Sequence, residues 1–319
     1  MKRFVLGLAF VLIAATCAAP RAFADESLRV GKADRAATPI IPVNVGVKKG
    51  FFAKHGVEVQ ISDFSGGAKL HQAMEAGAID IGVGAGPEMA FIAKGAQAIA
   101  ICNAFPSVRF IGISVPPDSP LKSIDELKGK KMGVSSTGSL TYWLALQLAR
   151  KKNWENGIET VAIGNASAGI IAAFRTHAVD ADITATSVLF DMEANNVGRF
   201  LAPVSDYAGR LSGGTIYAAT KLVEQKPDAI RRFLAGWFDT IDFMQKNKAE
   251  AVAIMAEATG FSPAVEGKEY DLTVGDFSHD GKFDAESLAN LKQSFTDLKL
   301  VDSPPDMSKL YTEAFLPKR

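Results

Sequence analysis

Hydrophobic and polar positions along the chain follow two periods in turn. Leu28-Arg29-Val30-Gly31 and Val57-Glu58-Val59-Gln60-Ile61 show the two-residue alternation of half-buried strands. Ile79-Asp80-Ile81-Gly82-Val83, Ala98 to Asn103 and Phe110 to Val115 are short apolar runs of strand length. Three segments between them read as helices. The first is Val43 to Lys49, closed by Gly50. The second opens at Ser65-Gly66-Gly67, runs through Leu70, Ala73 and Met74, and stops at Gly77. The third is Pro87 to Lys94, closed by Gly95. Strands alternating with short helices predict an α/β architecture built on parallel sheet.

Pro116, Pro117 and Pro120 break this rhythm and mark a crossing between domains. Ser123-x-x-Glu126 is a capping-box pattern at the start of a short helix. The rhythm then resumes with a strand at Lys131–Val134, a turn at Ser135–Ser139 and a helix from Leu140 to Lys152. A strand at Thr160–Ile163, a helix at Ala168–Thr176 and a strand at Ala181–Thr184 follow. Gly213 to Ala219 reads as the return crossing. The expected organisation is therefore a discontinuous first lobe, 25–115 with 216–319, and a second lobe, 116–215. Past Pro227, Ile230, Phe233, Leu234, Trp237, Ile241 and Met244 share one helical face, as a core-facing stripe does. Ala73, Ala78, Asp80 and Ala85 recur as Ala173, Ala178, Asp180 and Ala185, so both lobes are expected to reuse one local pattern.

The front of the chain has a different character. Lys2 and Arg3 precede an apolar stretch from Phe4 to Thr16, and Ala22-Phe23-Ala24 is a small-x-small cleavage pattern. Residues 1–24 read as an export signal with cleavage after Ala24, placing the mature protein in the periplasm. The apolar stretch is too short for a membrane span, which needs about 20 residues. Cys17 lacks the residues expected before a lipid-bearing cysteine, so a lipid anchor is not the favoured reading. The whole chain of 319 residues has 35 basic and 35 acidic side chains. Loss of Lys2, Arg3 and Arg21 with the signal leaves 32 basic groups and a formal charge of −3. That balance argues against a nucleic-acid binder. Cys102 alone remains, inside an apolar run, and reads as a buried structural thiol.

Constellations that carry catalysis are scarce. His55, His71, His177 and His279 are scattered without metal-ligand spacing, and no metal or cofactor is expected. The chain has no G-x-S-x-G elbow, no phosphate loop and no dinucleotide fingerprint. Asp180 and Asp182 read as structural acids in a turn. What recurs is a small polar loop after a strand that opens a helix: Ser65-Gly66-Gly67, Gly84-Ala85-Gly86 and Ser136-Thr137-Gly138-Ser139. Such loops present backbone N–H groups at the positive end of a helix and let a ligand approach closely. Three of them in a two-lobed exported chain favour binding of a small polar or anionic molecule over catalysis.

Several motifs in fixed order resemble a known family. They are Val47-Lys48-Lys49-Gly50-Phe51-Phe52-Ala53-Lys54-His55-Gly56-Val57-Glu58-Val59, Ala76-Gly77-Ala78-Ile79-Asp80-Ile81-Gly82 and Leu127-Lys128-Gly129-Lys130-Lys131-Met132-Gly133-Val134. Ala172-Ala173-Phe174 with Val179-Asp180-Ala181, and Lys226-Pro227-Asp228-Ala229-Ile230-Arg231-Arg232-Phe233, complete the set. The chain is similar to periplasmic substrate-binding proteins of ATP-driven importers, in the group that takes nitrate, sulfonates, taurine and thiamine precursors. The resemblance implies a two-lobed periplasmic-binding-protein-like fold of type II, closing over one ligand by a hinge motion. By position it implies ligand contact at Thr38 and Pro39, at Ser65 and Gly66, and at Gly84 and Ala85. In the second lobe it implies contact at Ser136, Thr137, Gly138 and Ser139, and at Thr184 and Thr186. His177 stands where the family commonly has glycine, Asp182 adds an acid beside it, and the cysteine-rich signature of pyrimidine-synthesising members is absent.

The expected function is a non-enzymatic receptor, acting as a monomer, that delivers a sulfonate-, taurine- or nitrate-like molecule to an ABC permease. Two alternatives stay open. An enzyme on the same fold, of the thiamine-pyrimidine-precursor type, would set Cys102, His177 or Asp182 facing the cleft. A ligand-sensing domain would report to a membrane signalling partner.

Overall fold

The computed structural model describes residues 26–154 and 157–318; the segment read as an export signal, with Cys17, lies outside the described residues. Alternation at Leu28 and Val30 yields strand β1 (Glu26–Lys32), which pairs in parallel with β2 (Val57–Asp63). Between them lie α1 (Pro42–Lys49) and α2 (Phe51–Lys54), joined at Gly50. Gly50 has φ 72°, a left-handed conformation that costs a residue without Cβ little. The lobe continues through α3 (Gly67–Glu75), β3 (Ile81–Gly84), α4 (Met89–Ala93) and β4 (Ala98–Phe105).

The second lobe comprises β5 (Ile111–Val115), β6 (Lys131–Val134), α5 (Leu140–Lys151), β7 (Glu159–Ala162), α6 (Ser167–Arg175) and β8 (Ala181–Ala185). It ends with α7 (Thr186–Ala194), β9 (Arg199–Pro203) and α8 (Ser205–Ala208). The chain then returns to the first lobe as β10 (Gly214–Ala219). Each sheet has five strands, in the orders β2-β1-β3-β10-β4 and β7-β6-β8-β5-β9. β10 runs antiparallel to β3 and β4, and β5 antiparallel to β8 and β9. Each is the strand by which the chain enters a sheet from the other lobe, so the sheets are mixed.

That connectivity corrects one expectation. Ile111–Val115, expected in the first lobe, has its ladder partners, β8 and β9, in the second. The crossing lies between Phe105 and Ile111, ahead of the three prolines. The return begins at Gly214, two residues before the expected 216.

The C-terminal part forms α9 (Thr220–Gln225), α10 (Pro227–Lys246), α11 (Lys248–Thr259), α12 (Pro263–Thr273) and α13 (Ala285–Asp297). All six residues of the α10 stripe are buried, and Phe233 stacks on Phe52 with centroids 4.9 Å apart. Burial of each such side chain stabilises by about 1.5–3 kcal/mol. The segment packs on more than the first lobe. Trp143 Nε1 of α5 donates to Ser294 Oγ of α13 at 2.8 Å, while Ala100 of β4 bridges to Tyr311 near the end.

The repeated pattern is realised in the backbone. The Arg29 N–H donates to Asp80 Oδ2 and the Lys131 N–H to Asp180 Oδ2, both at 2.9 Å. Asp80 N–H and Asp180 N–H reciprocate to the carbonyls of Arg29 and Lys131. Both acids therefore staple a helix end to the sheet. Gly77 (φ 70°) and His177 (φ 53°) occupy the same left-handed turn, where histidine pays a steric cost that glycine escapes.

Candidate ligand cleft

A narrow cleft of about 50 Å³ lies between the carboxyl ends of the two sheets, so the lobes stand nearly closed on one another. From the first lobe its walls include Ala33, Asp34, Ala37, Pro39, Ile40, Gly66, Gly67, Gly84, Ala85 and Glu88. Ser135, Ser139, Leu140, Thr141, Asn165 and Ile183 to Ala185 come from the second, with Phe110, Ile111 and Gly213 at the crossings. Strand ends and helix starts converge here because side chains are small enough for the lobes to approach.

The approach is close. A Cβ on Gly66 would collide with Ser136 Oγ, and one on Gly138 would lie 2.8 Å from the Phe91 ring. Asn165 Nδ2 donates across the cleft to Asp34 Oδ2 at 2.6 Å and to the Ala33 carbonyl at 3.2 Å. Ser187 Oγ donates to the Ala36 carbonyl at 3.0 Å. The lobes are thus latched by hydrogen bonds between them.

Six of the expected contact residues line the cleft: Pro39, Gly66, Gly84, Ala85, Ser139 and Thr184. The other six do not. Thr38 and Thr186 are buried behind the wall, where both hydroxyls donate to the carboxylate of Glu269 on α12, Thr186 at 2.6 Å. Ser65 accepts from Lys69 Nζ at 2.8 Å, Ser136 Oγ is buried against Gly66, Gly138 packs on Phe91, and Thr137 is exposed. Burial pushes the Glu269 carboxyl up to about 7, against the pull of its two hydroxyl donors.

Two acids in the walls carried no motif in the sequence. Asp34 Oδ1 accepts from the N–H groups of Ala36 and Ala37, and burial holds its carboxyl above the usual range. Behind it, Lys32 is buried, pairs with Asp63 at 3.1 Å, and is pulled below its ordinary pKa by burial. Glu88, 2% exposed, fills the space over Gly67 and Gly84, where a Cβ would collide with its carboxylate. Opposite, Ser135, Ser139 and Thr141 form a triangle of hydroxyls 2.9–3.1 Å apart, with Ser139 capping α5.

Cys102, His177 and Asp182 lie elsewhere. Cys102 is fully buried in β4, and burial drives its thiol far up. His177 borders a separate groove with Pro116 and Arg175. Asp182 is buried beneath the cleft over Gly133. Among the described residues no cluster of three or more His, Cys, Asp or Glu could hold a metal ion, and no helix is long and apolar enough to cross a membrane.

Known proteins share this architecture. Binding proteins of Brucella abortus and Brucella suis are 27% identical over 217 residues, covering 67% of this chain and 66% of theirs, so the match spans about two thirds of those relatives' length. The alkanesulfonate-binding protein SsuA of Xanthomonas axonopodis superposes with TM-score 0.78 at 19% identity, over 90% of this chain and 98% of that one. The desulfurization enzyme DszB superposes with TM-score 0.64 at 15% identity, over 91% and 97%. Identities this low show a shared fold. The NMT1/THI5-like family pattern matches residues 37–251, and the chain belongs to that family.

Proposed function

We propose that the protein is an extracytoplasmic solute receptor, which captures one small molecule between its lobes and presents it to an ABC permease. The observation that carries this reading is the latched cleft. Its walls come from both lobes, and its cross-cleft bonds, Asn165 to Asp34 and Ser187 to Ala36, exist only when the lobes are together. A ligand touching both walls has higher affinity for the closed state, which gives a permease a way to tell loaded from empty receptor. The SsuA neighbour, named for alkanesulfonate binding, supports transport and is the basis for expecting a sulfonate; taurine and nitrate rest on the sequence resemblance alone. Export rests on residues 1–24, and the monomeric state on the single cleft.

DszB has an enzymatic activity on this fold. The side chains here favour binding: Cys102, His177 and Asp182 all lie outside the cleft, and the hydroxyls inside it bond to one another. The test is a thermal-shift screen of the purified protein across sulfonates, carboxylates, nitrate, amines and sugars, with X-ray scattering on each hit. A true ligand at 100-fold excess over its dissociation constant adds about 2.7 kcal/mol of stability, and the radius of gyration with it bound matches that of the lobes held together. Turnover of a compound by the isolated protein, with no stabilising ligand in any class, would sink the receptor reading.

A further inference from the structure

The charge of the cleft is opposite to what an anionic ligand requires. Among the described residues its lining includes Asp34 and Glu88 and no lysine, arginine or histidine. The nearest buried cation behind the wall, Lys32, is already engaged by Asp63, Asn44 and the Arg35 carbonyl. The helix start that the sequence offered to an anion is also taken. Glu88 lies against Gly67, the first residue of α3, so a carboxylate supplied by the protein faces that positive end.

The two acids differ in what they have left to accept. Asp34 receives two backbone N–H groups and the Asn165 amide. Glu88 receives one long bond at Oε1, from the Ala85 N–H at 3.2 Å. Its Oε2 has no hydrogen-bond partner although the side chain is 98% buried. His71 Nε2 lies 3.3 Å from Oε2, within ion-pair distance when the imidazole is protonated but off the line of a hydrogen bond. A buried carboxylate oxygen without a donor is costly, and a donor brought by a ligand relieves that cost.

Resting on the receptor reading, we propose that the cleft selects its ligand through a nitrogen cation, an ammonium or amidinium group, seated against Glu88 on the first lobe. The Ser135–Ser139–Thr141 triangle receives the other end. Its hydroxyls both donate and accept, so it tolerates a polar or a weakly anionic tail. Asp34 adds a second carboxyl to the same wall and keeps its lobe-latching bond. A simple alkanesulfonate or nitrate has nothing to offer Glu88 and is repelled by it.

Calorimetry on the purified protein tests this with matched pairs: benzamidine against benzenesulfonate, and pentylamine against pentanesulfonate. The expected result is binding and a raised melting temperature for the cations only, with affinity reduced at least tenfold in Glu88→Gln. Asp34→Asn gives a smaller loss, because its oxygens are largely engaged within the protein. Should Glu88→Gln fold poorly, the cation-over-sulfonate preference of the unaltered protein decides alone. Preference for the sulfonates, or cation binding undiminished in a well-folded Glu88→Gln, overturns the proposal. Closure on a sugar, carboxylate or sulfonate with no response to either cation also overturns it, and leaves the receptor reading standing.

Discussion

Asp182 illustrates how a single residue can mislead when read alone. It neighbours a turn acid, Asp180, and sits on a strand that leads to the cleft, so a catalytic role was worth weighing. In the fold it is 1% exposed on β8, with Oδ1 2.5 Å from where a Cβ on Gly133 would stand, and neither oxygen has a partner. Burial, with no hydrogen-bond donor to offset it, holds its carboxyl well above the usual range. Asp182→Val, β-branched and suited to a strand, removes an unsatisfied polar group from a buried site. It is expected to raise stability at neutral pH by about 1–3 kcal/mol, measured by urea denaturation, without altering ligand affinity. A loss of stability would mean that Asp182 has a donor. The converse case is Glu88. The turn of Glu88 back to the Ala85 N–H and over Gly84 is local, but nothing in Gly86-Pro87-Glu88-Met89 tells that the side chain also covers Gly67, because that contact depends on packing between loops about 20 residues apart.

Helix α12 is the element whose role was least visible. Its sequence, Pro263-Ala-Val-Glu-Gly-Lys-Glu-Tyr-Asp-Leu-Thr273, has no strong apolar stripe, yet Glu266 and Glu269 are both fully buried. Glu269 joins Thr38 of the first lobe to Thr186 of the second, directly behind the cleft wall. Glu266, which accepts from Thr259 Oγ1 at 2.7 Å, adds to its upward displacement. In the folded protein the Glu269 carboxyl titrates near 7, whereas an unfolded chain loses that proton near 4.5. Between those values the folded form holds an extra proton, so this group lowers stability as pH rises, and the loss is complete above about 7. At about 1.4 kcal/mol per pKa unit the effect is of order 3 kcal/mol. Glu269→Gln is expected to flatten melting temperature against pH over that window. Asp34, Asp182 and Glu266 are displaced in the same direction, so the difference between variant and parent carries the result. Identical slopes in the two proteins would exclude Glu269 as the source. Thr38 and Thr186, implied as ligand contacts by resemblance, act here through a carboxylate some 230 and 80 residues away in sequence.

For the whole molecule, the two-lobed α/β architecture was legible because strand and helix periods alternate cleanly and the α10 stripe is strong. The crossing was placed one strand late for a physical reason. β4 and β5 are both buried on nearly every residue, so their patterns do not tell which sheet each joins, and the proline cluster lies after β5. The cleft residues were half legible: glycines and serines of strand-end loops were found, the acids and Asn165 were not. Asn165 gives the prediction that belongs to this scale. Asn165→Ala removes the bond to Asp34 that exists only with the lobes together. Ligand affinity is expected to fall about tenfold, as for loss of a hydrogen bond to a charged group. The ligand-free protein should show a larger radius of gyration by X-ray scattering. An unchanged radius with unchanged affinity would mean that the bond does not hold the cleft.

The repeat between the halves sets a direction across the cleft. Counting on from the paired staples at Arg29 and Lys131, Asp34 of the first lobe matches Ser136 of the second. On the 100-residue spacing, Glu88 matches Val188. Neither Ser136 nor Val188 lines the cleft, so the second copy of the design leaves its wall to the neutral hydroxyls of Ser135, Ser139 and Thr141, opposite the carboxyls of Asp34 and Glu88.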